Sequence, residues 1–213
     1  GISALSDDVS WVVIANADTV VGPDAIKNLL DAKNDFPKTG VLGPAVITSS
    51  GDVYPSARAI PGVRIGIGHA LFGVLWPSNP WTRQYLGDYV AGETRPAGWV
   101  SGSFMMVSRK AFESIRGFDE GYFMFFEDVD LCFRLKQEGW RSVYVPQASV
   151  NHIGGHSTSR NMAEMVVAHH ASARRFLSKL YPTGWHAPLR FSLFVGLAVR
   201  SAIMSRFYRH WPT

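Results

Sequence analysis

The sequence predicts an α/β fold, a mixed sheet flanked by helices, and three observations lead to this prediction. A short β-branched run, Trp11–Ala15, ends in a polar turn and precedes a helix that Pro23 and Asp24 open. Two more apolar runs, 40–47 and 99–107, have the composition of buried strands. The 213 residues are 46% hydrophobic and 18% charged, which is the usage of a globular domain with a substantial core.

The first half of the chain is expected to supply strands, one helix and a long connection. The helix after Asp24 places its apolar residues on one side, and the strand 40–47 follows at once. Residues 49–96 are rich in Gly, Pro and Trp, so we expect a long functional loop with short elements of its own. At 99–107 a turn of small residues enters a buried strand.

The second half is expected to alternate helices and strands. The predicted elements are a helix at 110–115, an acidic helix from Asp128 to about Gln137, a strand at 141–145 continued at 150–152, and a helix from about Met162 to Leu180. Asp128 is predicted to be the N-cap of the acidic helix, which Gly139 ends. Pro146 is predicted to close the strand.

A run of aromatic residues leads into three carboxylates, Glu127, Asp128 and Asp130. A carboxylate held against apolar surface loses water, which raises its pKa and suits it to act as a general base. The same residues also fit a purely structural role, because acidic side chains are favoured in the first turn of a helix. The local pattern leaves both interpretations open. It disfavours a glycoside hydrolase, which needs two carboxylates on opposite sides of the bond.

Polar residues stand at the ends of two predicted strands, Asn16 and Asp18 after the first and His152 after a later one. Ligands of open α/β sheets bind at the carboxyl ends of the strands. A carboxylate with one imidazole suits Mn²⁺ and admits Mg²⁺, so Asp18 and His152 are candidate metal ligands. Asn and Asp are also common in turns, and a lone His is often structural, so this pattern is weak by itself.

Charge is distributed unevenly along the chain. Residues 160–213 contain eight basic side chains and one acidic one, a net charge of +7, whereas the whole chain carries +4. An acidic body with a basic tail indicates a cation site in one part and an anionic partner for the other. The apolar stretch Phe191–Val199 is too short to span a bilayer. It suits a segment lying on an anionic membrane surface, or a helix packed on its own domain.

Several motifs occur in an order that resembles the family 2 glycosyltransferases of GT-A fold, over about residues 10–180. The segments that carry the resemblance are Ile14–Asp18, Trp99–Val107, Gly117–Arg134, Gly139–Arg141 and Val150–Ser157. Three further segments, Val53–Arg58, Trp76–Trp81 and Ala168–His170, are similar to the actinobacterial members that transfer rhamnose to polyprenyl-diphosphate-linked N-acetylglucosamine.

This resemblance implies roles for individual residues. Asp18 would hold Mn²⁺ or Mg²⁺ against the diphosphate of a nucleotide sugar, here dTDP-rhamnose, and His152 would complete the metal site. Asn16 departs from the doubly acidic form of that motif, so it would contact the donor only through a water or the sugar, and its metal role is open. Asp128 would be the general base of an inverting transfer, with Glu127 flanking it.

Other residues are expected at the donor and at the acceptor. Ser101 and Gly102 would let the donor sugar approach the backbone, although a tight entry into the strand explains them equally well. His156, Ser157 and Arg160 are predicted to cover phosphate, with Arg174 and Arg175 behind them; a solvated helix face is the alternative for both arginines.

We expect residues 1–160 to be the metal and acceptor half of an incomplete, Rossmann-like GT-A domain, because the strands that bind the nucleoside in this family would precede the metal turn. Residues 161–213 would form a basic helical segment on the inner face of the plasma membrane of a cytoplasmic protein. The predicted partners are the nucleotide sugar, the polyprenyl-diphosphate sugar, the membrane, and a separate polypeptide carrying the other half, with no nucleic acid. The alternative is an inactive remnant that binds a lipid diphosphate or a partner protein.

Overall fold

The computed structural model describes residues 2–62, 78–80, 83, 92–153 and 162–209. The chain divides into two compact units. The first comprises Gly1–Phe118 and Leu131–Gly154, and the second comprises Asp119–Asp130 and Gly155–Thr213. The second unit therefore contains the acidic stretch as well as the C-terminal helices, whereas the sequence-based division placed that stretch with the body of the chain.

A seven-stranded mixed sheet forms the first unit within the described residues. Its strands are β1 (Trp11–Ala15), β2 (Thr19–Val21), β3 (Thr39–Ile47), β4 (Val53–Tyr54), β6 (Arg95–Ala97), β8 (Phe104–Ser108) and β9 (Arg141–His152). Five of them follow the order β1-β8-β3-β9-β2, while β4 pairs with β3 and β6 pairs with β9. The strands β3 and β9 run parallel, and the other pairs are antiparallel. A separate ribbon pairs β5 (Ala57–Arg58) with β7 (Trp99–Val100).

Helix α1 (Ala25–Ala32) supplies the apolar cover for the sheet. It buries Ala25, Leu29 and Ala32 in one cluster with residues of β3, β8 and β9. The cluster is apolar because β3 and β9 are central strands, covered by other elements along most of their length. Helix α2 (Arg109–Ser114) follows β8 directly, and the hydroxyl of Ser108 caps it by accepting from the amide of Ala111.

Strand β9 corrects one prediction, because Pro146 does not close it. The strand continues from Arg141 to His152, and its register against β3 shifts between the pair Pro44–Val145 and the pair Ala45–Ser149. Residues 146–148 lie in this irregularity, where a proline without an amide hydrogen costs no ladder hydrogen bond. The prediction was wrong because it treated the proline as a strand end rather than as a bulge.

Helix α3 (Glu127–Gln137) begins one residue earlier than predicted, so Asp128 lies in its first turn and is not its N-cap. The predicted end is confirmed, since Gly139 has a φ of +80°. Residues 129–132 and Leu135 are buried, as the apolar spacing indicates.

Two long helices dominate the second unit, α4 (Met162–Leu180) and α5 (Ala187–Arg209). The bounds of α4 are those predicted, and α5 packs against it. The segment Gly184–Tyr208 is long and apolar enough to cross a membrane by length and composition. The helix is thus longer than the stretch Phe191–Val199 suggested. The α/β fold with a mixed sheet and a helical C-terminal tail is confirmed.

Candidate functional site

The turn after β1 brings three predicted residues of the first unit together. The Nε2 atom of His152 lies 3.1 Å from Oδ1 of Asp18 and 3.3 Å from the side-chain amide nitrogen of Asn16. Pairing of β2 with the end of β9 causes this, because Thr19 stands opposite His152 in the ladder. The backbone adds a bond from the amide of Ile153 to the carbonyl of Asp18, 3.1 Å long.

The small-residue turn before β8 lies beside the same three side chains. The carbonyl of Ser103 accepts from the amide of Asn16 at 2.9 Å and from the hydroxyl of Thr19 at 3.2 Å. Within the turn, the hydroxyls of Ser101 and Ser103 are 3.0 Å apart. Ser101, Asn16, Asp18 and His152, predicted from separate segments, therefore converge at one sheet edge, with Gly102 inside the turn.

This arrangement fits a hard divalent cation that keeps several non-protein ligands. Among the described residues no cluster of three or more His, Cys, Asp and Glu side chains forms a complete metal cage. Asp18 and His152 instead offer one oxygen and one nitrogen, with side chains 47% and 27% exposed, so phosphate and water can reach the same point. Rotating the Asn16 amide by 180° would add a second oxygen. Such a partial ligand set is usual where a substrate phosphate completes the coordination.

In the second unit, Glu127 and Asp128 begin α3 in different environments. The Oε2 atom of Glu127 is buried and has no hydrogen-bond partner within the described parts of the chain. Burial raises the pKa of Glu127 above its ordinary value, and the neighbouring Asp128 raises it further, against a lowering by a backbone hydrogen bond. Asp128 is partly exposed, and its Oδ1 accepts from the amide of Val129 at 2.8 Å. Both residues are partly exposed, and it is the Oε2 atom of Glu127 that is buried.

The backbone just before these carboxylates is in an unusual conformation. Phe125 and Phe126 have φ values of +66° and +65°, in the left-handed region that residues with a Cβ rarely adopt. Ordinary turns reach this region with glycine, so the aromatic sequence gave no local sign of it.

Asp130, the third carboxylate, belongs to a charged network. Lys179 of α4 places its ammonium 2.5 Å from an oxygen of Asp130 and 2.5 Å from an oxygen of Asp119. Tyr122 donates to Asp130 at 3.2 Å, and Asp130 is fully buried. Arg175 binds Asp119 through Nε at 2.9 Å and through a terminal nitrogen at 2.7 Å.

The network shifts the pKa of two of its members. Arg175 and then Lys179 hold the pKa of Asp119 well below its usual range, although burial opposes them. Burial, followed by the charge of Asp130, raises the pKa of Tyr122. A Cβ added to Gly121 would lie 2.1 Å from the Arg175 guanidinium, so a glycine permits this approach. Asp130 thus stabilises the fold of the second unit, in agreement with a helix-start role.

The other residues predicted for the site are Arg174, His156, Ser157 and Arg160. The Arg174 guanidinium lies 5.0 Å from the centre of the Phe194 ring of α5. His156, Ser157 and Arg160 lie outside the described residues. Sequence reasoning missed Thr19, Tyr122 and Asp119, and it gave Lys179 no role. The sequence does contain one signal for these ion pairs. Arg175 and Lys179 are four residues apart, which places them on one face of α4.

The class of protein follows from a comparison of the sequence with known families. Residues 1–171 match the family described as glycosyltransferase like family 2, so the chain belongs to this family.

Rhamnosyltransferases of two bacteria are similar to this chain in sequence. The chain is 48% identical over 196 residues to N-acetylglucosaminyl-diphospho-decaprenol L-rhamnosyltransferase of Mycobacterium tuberculosis, in strains CDC 1551 and H37Rv. The match covers 92% of this chain and 64% of the relative, so the chain spans just under two thirds of its length. It is also 40% identical over 81 residues to the rhamnosyltransferase WbbL of Escherichia coli K12, covering 38% of this chain and 31% of that protein.

A solved structure gives a more distant likeness. GalNAc-T7 with UDP, GalNAc and Mn²⁺ matches 89% of this chain and 38% of its own, with a TM-score of 0.47 and 14% identity. This likeness is too distant to support an argument about function.

Proposed function

We propose that this chain carries the metal turn and the general base of an inverting rhamnosyltransferase. It would move L-rhamnose from dTDP-rhamnose to a polyprenyl-diphosphate-linked N-acetylglucosamine in the synthesis of a cell-wall polysaccharide. The observation that carries the proposal is the 48% identity to a mycobacterial enzyme whose name specifies such an acceptor and such a sugar, over 92% of this chain.

Asp128 is the base in this proposal. It takes the proton from the acceptor hydroxyl while that oxygen forms a bond to the anomeric carbon and the nucleoside diphosphate leaves with the electrons of the broken bond. The burial of the Oε2 atom of Glu127 supports this choice over Glu127. Burial raises the pKa of Glu127 and so disfavours its ionised form.

Asp18 and His152 are the proposed metal ligands, with Asn16 beside them. Their convergence on Nε2 of His152 supports this role. A bound Mn²⁺ or Mg²⁺ would offset the negative charge of the donor diphosphate. Ser101 and Gly102 border the same edge and would face the donor.

The helix α5 is the proposed contact with the cytoplasmic face of the plasma membrane. Its apolar side chains at four-residue spacing are exposed rather than packed on α4, as is Trp185 at 94%. These side chains are Phe191, Val195, Val199, Ile203 and Phe207. Arg190, Arg200 and Arg206 lie in the same helix, so we propose that α5 lies on an anionic surface instead of crossing it.

The edge strand β1 is the proposed contact for a further polypeptide segment, which carries the nucleoside-binding half. None of its five residues is buried, and Val13 is 42% exposed. Among the described residues β1 pairs with β8 on one side, and an edge strand is a template for pairing on its other side.

The test of this function is rhamnose transfer in membrane extracts of the source organism. Labelled dTDP-rhamnose is supplied to extracts in which the gene is intact, deleted, or restored. We expect labelled lipid product in the extracts with the intact or restored gene. We expect this product to be lost when the gene is deleted. Undiminished product in the deleted extract would contradict the proposal and favour the inactive remnant.

A further inference from the structure

One side of α4 contacts the acidic segment, defined as Asp119–Asp130, at several points within the second unit. The contacting residues are His169, Ser172, Arg175, Phe176 and Lys179. We propose that Ser172 and His169 are positioning residues that hold the left-handed pair Phe125–Phe126 and thereby fix Asp128. The catalytic part of this inference rests on the proposed function.

The pair requires such support because its conformation is unfavourable. A left-handed φ brings the Cβ of an L-residue close to the backbone, and two consecutive phenylalanines incur this cost twice. Sparsely populated backbone conformations persist only where the surrounding structure holds them. The segment leads directly into Glu127 and Asp128, so any relaxation of the pair would move both carboxylates.

Hydrogen bonds hold the backbone on both sides of the pair. Before it, the hydroxyl of Ser172 donates to the carbonyl of Met124 at 2.6 Å, and Ser172 is only 6% exposed. After it, the amide of Asp130 donates to the carbonyl of Phe126 at 2.8 Å. The first bond comes from another helix, so the position of α4 determines where the segment lies.

Ring contacts hold the side chains of the pair. The His169 ring lies edge-on to Phe125 and to Phe126, with centroid distances of 5.5 Å and 5.3 Å. Phe176, one of the most buried side chains of the chain, lies 5.7 Å from Phe126. His169 is the α4 ring that contacts both phenylalanines among the described aromatic pairs, so it fixes their relative orientation.

The ends of the segment are held by charge. Arg175 and Lys179 bind Asp119 at its start, and Lys179 also binds Asp130 at its end. These contacts hold the segment on α4 and leave Ser172 and His169 to set the conformation of its middle.

The first measurement is independent of catalysis. A fluorophenylalanine is placed at Phe125 of the full chain and observed by ¹⁹F NMR. We expect one sharp resonance for the unsubstituted protein, and a second or broadened resonance for Ser172→Ala and for His169→Leu. Ser178→Ala is the matched control, because its hydroxyl bonds only to the carbonyl of Arg174 within α4 in the described contacts, and it should keep the single resonance. Unchanged spectra in both test variants would overturn the proposal.

The second measurement is rhamnose transfer by the same variants in gene-replacement extracts. Ser172→Ala should lower kcat by about 10- to 100-fold with little change in KM for the donor, because a small displacement of a reacting group is costly. Ser172→Thr, which keeps the hydroxyl, should restore most of the activity. A purely structural serine would instead lower the amount of folded enzyme and leave kcat per folded molecule unchanged, and that result would overturn the proposal.

A double-mutant cycle completes the test. Glycine adopts a left-handed φ without strain. We therefore expect Ser172→Ala to lower kcat by a smaller factor in a Phe125→Gly background than in the otherwise unsubstituted protein. Fully additive losses would contradict the positioning role. If the unsubstituted protein transfers no rhamnose, the proposed function fails, while the NMR comparison still decides whether Ser172 and His169 hold the segment.

Discussion

At the residue scale, Glu127 and Asp128 show how neighbouring carboxylates acquire different properties. Burial and the charge of Asp128 favour the protonated form of Glu127, whereas Asp128 accepts a backbone hydrogen bond from Val129. Pairs of acids whose environments separate their pKa values often divide the acid and base roles of a site. The raised pKa of Glu127 is a reason to propose Asp128 rather than Glu127 as the base.

The raised pKa of Glu127 leads to a stability prediction. A folded-state pKa above the ordinary 4.5 means that the folded protein binds the proton more tightly, so stability falls as pH rises from 4.5 through the folded pKa. Glu127→Gln removes the charge and should raise the melting temperature at pH 7, with the difference vanishing below pH 4.5. Calorimetry across this range tests it, with exposed Glu138→Gln as the control. A lower melting temperature for Glu127→Gln at pH 7 would contradict the burial argument.

The metal proposal is also a residue-scale prediction. Asp18→Asn and His152→Gln should each weaken Mn²⁺ binding in the presence of dTDP by at least about 10-fold, because each removes one of two protein ligands. Electron paramagnetic resonance of free Mn²⁺ measures this on the protein purified from its source. Asp35→Asn, the same chemical change at an exposed carboxylate, should have no effect. Equal affinities in all four proteins would remove Asp18 and His152 from the metal site.

At the scale of elements, helix α4 acts as the support of the acidic segment. Its charged residues meet Asp119 and Asp130, and its central residues meet the phenylalanines. The ion pairs are partly shielded from water, since the Asp119 side chain is 19% exposed. Removal of one partner of such a pair leaves the other charges uncompensated.

Asp119→Asn tests this support. The folded pKa of Asp119 lies below the ordinary 3.8, so its ionised form stabilises the fold above pH 3.8 and the contribution is lost as pH falls through the folded pKa. We expect Asp119→Asn to lower the free energy of unfolding at pH 7 by about 1–2 kcal/mol, discounted for the exposure of Arg175. Chemical denaturation at several pH values measures it. A loss that grows toward low pH would contradict the account.

Elements with a local signal were predicted well from the sequence. The strand Trp11–Ala15, the first helix and the helix Met162–Leu180 have clear periodicity, and the structure confirms them. The bulge at Pro146 and the left-handed phenylalanines were missed, because each is imposed by a partner element distant along the chain. For the same reason, only part of the candidate site could be predicted from the sequence. Asp18 and His152 stand at strand ends, whereas the contact of Ser172 with Met124 depends on tertiary packing.

At the scale of the whole molecule, each unit carries one part of the proposed membrane-associated transferase. The first unit carries the proposed metal turn at a sheet edge, and the second carries the carboxylates and the exposed apolar helix. Large exposed apolar surface is uncommon on soluble proteins, so the outward side of α5 is expected to be covered in the cell.

Membrane contact predicts a specific effect of one substitution. Val199→Glu should reduce co-sedimentation with phosphatidylglycerol vesicles several-fold, since it places a negative charge on the apolar side of α5. Val53→Glu is the matched control, because both valines are about half exposed, at 54% and 46%. Binding of the unsubstituted protein should also weaken as salt is added, through screening of the arginines. An equal effect of the two substitutions would contradict a role for α5.

The most direct test of the central claim is the rate of rhamnose transfer by Asp128→Asn in the gene-replacement extract. This substitution keeps the shape of the side chain and removes its basicity, so kcat should fall by about 100- to 10,000-fold while the protein stays folded. Asp35→Asn should transfer at the unsubstituted rate. Transfer by folded Asp128→Asn at the unsubstituted rate would show that Asp128 is not the base and would contradict the account.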